Sequence, residues 1–328
     1  MRVGLGIIGL GYIGAIHLKH SQKLINARLV AVADVSKKAL KAARDAGAEK
    51  VFTDYKDLLR DPEVDAVIIA LPTHLHLQCS QEAAEAGKHV FVEKPIARNV
   101  GEAKEILSSV QKHSVKLMVG YPLRFNDAFA DVRKKMETRE LGDVELAYAT
   151  YVSTGPFFHR SEGYAPVPVP DWWFNKELTG GGVLIDLGSH MINLLRWYFG
   201  EIRDIRSCLG HRLNMDFEDS ATCIMRFESG TLAMMSVGWF SQDYTLKVDL
   251  FGSVRHITAE HHPPNFMVTA AQMLAMGTSK YFRPHLAELQ HFVDSIIHDA
   301  NPSPSGIEGL KDLEVIAKAY ENEFELEK

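Results

Sequence analysis

Over its first 120 residues the chain alternates short apolar runs with longer segments whose apolar positions recur every three to four residues. The runs Leu5–Ile8, Leu29–Asp34, Val51-Phe52, Val64–Leu71, His89–Val92 and Lys116–Val119 are apolar with little alternation, as strands buried on both faces are. Between them the spacing predicts helices over Ala15–Gln22, Ser36–Ala46, Asp54–Arg60, His76–Ala86 and Val100–His113. Such strand–helix alternation predicts an α/β fold with a parallel, doubly wound sheet.

Past Gly120 the pattern changes. Helices are expected over Asp127–Arg139 and Val183–Tyr198 and a strand over Asp143–Val152; an irregular stretch, Ser153–Thr179, is rich in Pro, Gly and aromatics. Strands follow over Ile202–Leu213, Asp219–Phe227, Thr231–Phe240, Tyr244–Phe251 and Val254–Ala259, with turn residues Ser229-Gly230 and Gly252-Ser253 marking hairpins. Two helices, Pro284–His298 and Ile307–Phe324, finish the chain. A length of 328 residues exceeds one core, so the expected division is a nucleotide-binding domain, 1–121, and an α+β domain for substrate and assembly, 122–328. The hairpin strands are apolar on both faces. One helix layer covers one face, so the other is expected to meet a second subunit.

Composition narrows this picture by exclusion. With 46% hydrophobic and 24% charged residues and a net charge of -6, the chain has no basic face for nucleic acid or anionic lipid. Cys79, Cys208 and Cys223 stand singly without metal-ligand spacing, so no metal and no disulfide is expected. No apolar run approaches bilayer length, and the N-terminus enters its first strand at once; a cytoplasmic protein is expected.

Candidate chemistry begins at Gly9-x-Gly11-x-x-Gly14, between an apolar strand and a helix start. Glycine there permits the tight turn, the approach of backbone to a pyrophosphate, and close helix–strand packing. Asp34 follows about 20 residues on, where a carboxylate meets ribose hydroxyls and repels a 2′-phosphate. The expected cofactor is therefore NAD, with NADP second because Lys37 and Lys38 stand close by; the alternative for Asp34 is a helix cap. Gly9, Gly11, Tyr12, Ile13, Gly14, Asp34, Leu71, Pro72, Thr73, His76, Glu93 and Lys94 form the expected cofactor set, at the carboxyl ends of the strands. Lys94 can also stabilise a substrate oxygen; the alternative is a turn shaped by Pro95. After Gly180-Gly181-Gly182, Asp186 and His190 lie four apart on one helix, with Asn193 and Trp197 continuing the stripe. A carboxylate one turn from an imidazole can orient a general base, and the alternative is a solvated helix face. Three glycines there would let a substrate or cofactor ring approach the helix start. Arg124, His159 and Arg160 are candidates for an anionic handle on the substrate, and Trp172 or Trp173 for an apolar wall.

Together these segments resemble the glucose–fructose oxidoreductase / inositol dehydrogenase / rhizopine-catabolism (Gfo/Idh/MocA) family over nearly the whole chain. The carrying residues are the glycine fingerprint, Asp34, Pro72-Thr73-His74-Leu75-His76, Ala86-Gly87-Lys88-His89-Val90 running into Glu93-Lys94-Pro95, Gly120-Tyr121 with Arg124-Phe125, and Gly180-Gly181-Gly182 with Asp186, Gly188 and His190. The resemblance implies a Rossmann domain followed by an open, mainly antiparallel sheet that packs on another subunit, as a homodimer or homotetramer. It also implies NAD(H)-dependent hydride transfer at a secondary alcohol of a sugar or cyclitol, with a phosphorylated or nucleotide-linked hexose included. In that reading Lys94 and His190 contact the reacting hydroxyl, His190 is the acid/base, and Asp186 orients the site. Asn193 stands where many members have Asp, which puts a substrate contact there in doubt. Two other readings stay open: a glycoside hydrolase that retains NAD, and a silent NAD-binding regulator. The presence of Lys94, Asp186 and His190 together counts against the second.

Overall fold

In the computed structural model, which describes residues 2–157, 170–241, 243–261 and 283–324, the N-terminal strands are β1 (Val3–Ile8), β2 (Ala27–Ala33), β3 (Lys50–Phe52), β4 (Ala66–Ile69), β5 (His89–Glu93) and β6 (Leu117–Gly120). They form one parallel sheet in the order β3-β2-β1-β4-β5-β6. Helices α1 (Tyr12–Ser21), α2 (Lys37–Asp45), α3 (Tyr55–Leu59), α4 (His76–Glu85) and α5 (Val100–Lys112) connect the strands. Every residue of β1 and β4 is buried, which accounts for their unbroken apolar runs. The strand order reverses between β1 and β4, and ligands bind such sheets at that crevice.

The C-terminal sheet comprises β7 (Val144–Val152), β8 (Ile202–Gly210), β9 (Ser220–Phe227), β10 (Leu232–Gly238), β11 (Thr245–Gly252) and β12 (His256–Glu260), in the order β12-β11-β7-β10-β9-β8. All neighbours are antiparallel except β7 and β10, a parallel pair that the hairpin signals do not reveal. Helices α6 (Asp127–Glu137), α7 (Lys176–Thr179) and α8 (Ser189–Phe199) belong with this sheet. One face packs on α8 and the segment before it, with Ala147, Ala149, Ala221, Cys223, Ala233 and Met235 buried there. On the other face Met234 lies opposite Ile224 on β9 and Tyr148 on β7, and Leu146 opposite Phe251. Met234 is 39% exposed and Ile224 53%, whereas Met235 is fully buried.

Two compact units result: Met1–Pro122 with Asn265–Leu310, and Leu123–Pro264 with Lys311–Lys328. The expected single domain 122–328 therefore needs correction. Helix α9 (Arg283–Ile297) packs on α1, β1 and β6, with Leu289, Phe292 and Val293 buried and Phe292 edge-on to Phe91 at 5.8 Å. The start of α10 (Gly306–Glu321) joins it: a Cβ on Gly306 would lie 2.4 Å from Leu117, and Val119 N donates to Pro304 O. An amphipathic period announces a helix and leaves its partner unspecified.

Candidate active site

At the end of β1 the chain turns through Gly9, whose φ of +91° favours glycine. A Cβ on Gly9 would lie 2.5 Å from Ala70 O, and one on Gly14 would lie 2.0 Å from Gly9 O. Gly11 differs: its Cβ position meets nothing within 4 Å, and it is the N-cap of α1 without any side-chain cap. The first-turn N–H groups of α1 thus border an open cradle, which fits a dinucleotide pyrophosphate. Tyr12 is exposed and Ile13 half-buried beside it.

Asp34 follows the last residue of β2. Its Oδ2 accepts from Leu10 N at 2.6 Å and its Oδ1 from Ser36 N at 2.7 Å. The cap of α2 is Ser36, whose Oγ accepts from Ala39 N, so Asp34 is held at the rim of the glycine turn. Each carboxylate oxygen keeps capacity for another donor. Beyond β4, Leu71 and Pro72 are half-buried and Thr73 is buried. His76 is buried, its ring nitrogens 2.9 Å from Pro95 O and from Leu71 O. Burial lowers its pKa, and a neutral ring donates to one carbonyl at a time. This histidine ties the segments that follow β4 and β5 together.

Glu93 ends β5 and Lys94 follows it. Glu93 Oε1 is 2.6 Å from His17 Nε2 on α1, and its Oε2 accepts from Lys94 N at 3.2 Å. A Cβ on Gly120 would lie 3.1 Å from Glu93 Oε2, so glycine in β6 makes room for the carboxylate. His17 and the fully buried Glu288 of α9 complete a cluster that local sequence did not suggest, with donor atoms all within 4.8 Å. Lys94 itself is half-buried.

On the C-terminal unit, Asp186 and His190 are both half-buried. They do not share one uninterrupted α-helix: Leu184–Gly188 is a π turn leading into α8, a widening associated with functional sites. Trp239 Nε1 donates to Asp186 Oδ2 at 3.3 Å. The Tyr151 ring lies 6.1 Å from that of His190, and Tyr244 stacks edge-on to Tyr151 with its hydroxyl 3.2 Å away. Glu218 anchors the turn: its Oε1 accepts from Leu184 N at 2.9 Å, Gly182 N at 3.2 Å and Tyr320 Oη at 2.8 Å. Burial pushes its pKa up against the pull of these donors. The glycine triplet has a packing reason. A Cβ on Gly182 would lie 2.0 Å from Glu218 O, and one on Gly181 2.3 Å from Tyr320 Oη. The expected opening for a substrate ring at those two glycines is filled by protein. Trp239, Tyr151, Tyr244, Glu218 and Tyr320 come from distant segments, and no local motif marks them.

Two expected substrate contacts are turned inward. Arg124 Nε donates to Asn193 Oδ1 at 2.7 Å, and Asn193 Nδ2 donates to Asp312 Oδ2 at 2.6 Å. Arg196 closes the network on Asp312 Oδ1 at 2.5 Å. Arg124 is 7% exposed and Asn193 1%, so both are engaged inside the protein rather than displayed at its surface. Trp172 and Trp173 are half-buried with rings 5.5 Å apart. His159 and Arg160 lie outside the described residues.

The glycine turn, the open start of α1 and the carboxylate at its rim fit a dinucleotide, and the family match makes the protein an NAD-dependent oxidoreductase. It belongs to the GFO/IDH/MocA family: residues 3–121 match the oxidoreductase family, NAD-binding Rossmann fold, and residues 129–258 match the GFO/IDH/MocA C-terminal domain. Inositol 2-dehydrogenase 1 of Saccharopolyspora erythraea is 34% identical over 323 residues, 94% of this chain and 90% of that protein. The scyllo-inositol 2-dehydrogenase (NAD(+)) of Bacillus subtilis is 29% identical over 331 residues, 96% of this chain and 92% of that one. The structure of scyllo-inositol dehydrogenase from Lactobacillus casei with bound NAD(H) and scyllo-inositol superposes with a TM-score of 0.80 at 23% identity, covering 98% of this chain and 97% of that one. That last likeness concerns the fold. Among the described residues, no helix is long and apolar enough to cross a membrane.

Proposed function

We propose that this protein oxidises a secondary hydroxyl of a cyclitol or closely related neutral sugar, with NAD as acceptor. The observation that carries the reading is 34% identity to an inositol 2-dehydrogenase in an alignment covering 94% of the chain, with Lys94, Asp186 and His190 all present. NAD bound at Gly9, Gly11 and Gly14 supplies the acceptor for the carbinol hydrogen and its two electrons. His190 takes the hydroxyl proton. Asp186, steadied by Trp239, favours the charged imidazole that results. Lys94 donates to the substrate oxygen and offsets its negative charge as the proton leaves. Asp34 accepts from the adenosine ribose hydroxyls and sets the preference for NAD over NADP. Arg124 donates to Asn193, so a neutral polyol is preferred to a substrate with an anionic handle on Arg124. A second copy of the chain covers the face of the C-terminal sheet that carries Met234 and Ile224, giving a homodimer or homotetramer.

The test is absorbance of reduced nicotinamide with myo-inositol, scyllo-inositol, hexoses and hexose phosphates, with NAD and NADP in parallel. Turnover with a neutral polyol and NAD is expected. Turnover confined to phosphorylated sugars, or preference for NADP, would overturn the corresponding assignment.

A further inference from the structure

We propose that the buried segment Phe217-Glu218-Asp219, immediately before β9, is a positioning element for Asp186. Glu218 fixes the backbone of the turn that carries Asp186, while Phe217 and Asp219 fix the Trp239 indole that donates to its carboxylate. The inference deepens the function proposed above, and rests on it for the part Asp186 and His190 play in proton transfer. Phe217, Glu218 and Asp219 are each 1% exposed, and the segment and the groups it holds all lie in the C-terminal unit.

A helical segment starts with N–H groups that find no partner within the helix, and burying them unsatisfied is destabilising. Glu218 accepts from three consecutive ones at the start of this turn. Its Oε1 takes Gly182 N at 3.2 Å and Leu184 N at 2.9 Å, and its backbone O takes Val183 N at 3.0 Å. Asp186 N then donates to Gly182 O at 3.1 Å, so the Asp186 backbone is indexed to a residue that Glu218 holds. Glycine at 182 permits the approach: a Cβ there would lie 2.0 Å from Glu218 O and 2.8 Å from Phe217 Cδ2.

The same segment places the donor to the Asp186 side chain. Trp239 N donates to Asp219 O at 2.9 Å, and Phe217 meets the Trp239 ring edge-on, with centres 6.2 Å apart and planes at 89°. Trp239 is buried, and its Nε1 reaches Asp186 Oδ2 at 3.3 Å. That bond is at the long end of its range, so a small displacement of either partner breaks it. Both partners are set by three adjacent residues, which are pinned in turn from outside. Asp219 N donates to Gly210 O at 2.9 Å, Asp219 Oδ2 accepts from Leu213 N at 2.5 Å, and Tyr320 Oη of α10 donates to Glu218 Oε1 at 2.8 Å.

The experiment compares Glu218→Gln, Glu218→Ala and Phe217→Leu with wild type. Glutamine keeps an oxygen that accepts from the turn, and alanine removes it. Leucine takes away the ring against Trp239 and keeps the site apolar. The first readout is the nuclear magnetic resonance signal of the Trp239 indole N–H in the apoprotein, assigned by its loss in Trp239→Phe. It should shift in Glu218→Ala and Phe217→Leu and stay close to wild type in Glu218→Gln. This readout is independent of catalysis. If the resonance shifts while His190→Asn keeps its kcat, the proposed reaction fails and the positioning of Asp186 stands. In turnover, Glu218→Ala should lower kcat about ten- to hundredfold, because a misplacement of about 1 Å costs about a hundredfold. NAD affinity should be unchanged, and Glu218→Gln should recover most of the loss. Phe217→Leu exchanges one apolar side chain for another, and it decides the test alone if Glu218→Ala does not fold. An unmoved Trp239 resonance in the folded variant would overturn the proposal. So would a lowered Tm with kcat at the wild-type value, or a loss of NAD affinity as large as the loss of kcat.

Discussion

The dinucleotide cradle and the Asp186–His190 turn are built from different material. At the cradle the recognising groups are backbone: the N–H groups of α1, exposed because Gly11 has no side chain and no cap stands in front of the helix. At the turn the groups are side chains, held by other side chains. Asp186 is steadied by Trp239 from beyond β10, His190 is flanked by Tyr151 from β7, and the turn is anchored by Glu218 and Tyr320. A backbone site writes itself into a contiguous motif, because only glycine satisfies its sterics. A side-chain site is dispersed along the chain, and each member looks ordinary where it stands. The sheets differ in the same sense: every residue of β1 is buried, whereas β10 hides Met235 and shows Met234.

The sharpest way to break this contrast is His190→Asn. An oriented general base contributes about 10²–10⁴ in rate. The variant should lose that factor in kcat while NAD affinity, measured by fluorescence titration, stays near wild type, because the cradle belongs to the other unit. A comparable loss of NAD affinity would show that the two halves are not separable. Next in size is Asp312→Ala, which strips the buried partner from Arg196 and Asn193. It should cost about 3 kcal/mol in urea unfolding, the low end for a broken buried pair because Glu201 still holds Arg196. A loss under about 1 kcal/mol would mean that the network is solvated rather than buried.

Asp34→Ser tests the cradle. Losing a charge-assisted contact worth about 1.5–3 kcal/mol should shift the NAD/NADP preference about ten- to hundredfold toward NADP. An unmoved ratio would leave Asp34 with only its bonds to Leu10 and Ser36. Met234→Glu should leave both halves intact and change assembly alone. Sedimentation should show monomer or aggregate in place of a dimer or larger species, and a wild-type monomer at micromolar concentration would remove the covered-face argument.

Legibility in the sequence followed the same line. The parallel sheet, the glycine turn, the rim position of Asp34 and the β5 end at Glu93-Lys94 all rest on local period or on glycine sterics. Partnership was illegible. Nothing in Pro284–His298 says that α9 lies against α1, so Glu288 could not be placed beside Glu93. Arg124 and Asn193 carry groups suited to a substrate, yet they bond to each other because Asp312, far along the chain, turns them inward. The helix expected from Val183 opens as a π turn, and Glu218 from far along the chain accepts from N–H groups at its start, a contact invisible to periodicity.

The central claim is that the hydrogen on a substrate carbinol carbon passes to NAD while the C-terminal unit takes the proton. It is tested most directly with a cyclitol deuterated at every carbinol carbon, oxidised by the wild-type enzyme with NAD in ordinary water. Mass spectrometry of the reduced nicotinamide should find one deuterium per molecule, in proportion to ketone formed. Reduced nicotinamide without deuterium, or a glycoside cleaved with no net reduction of NAD, would contradict the account.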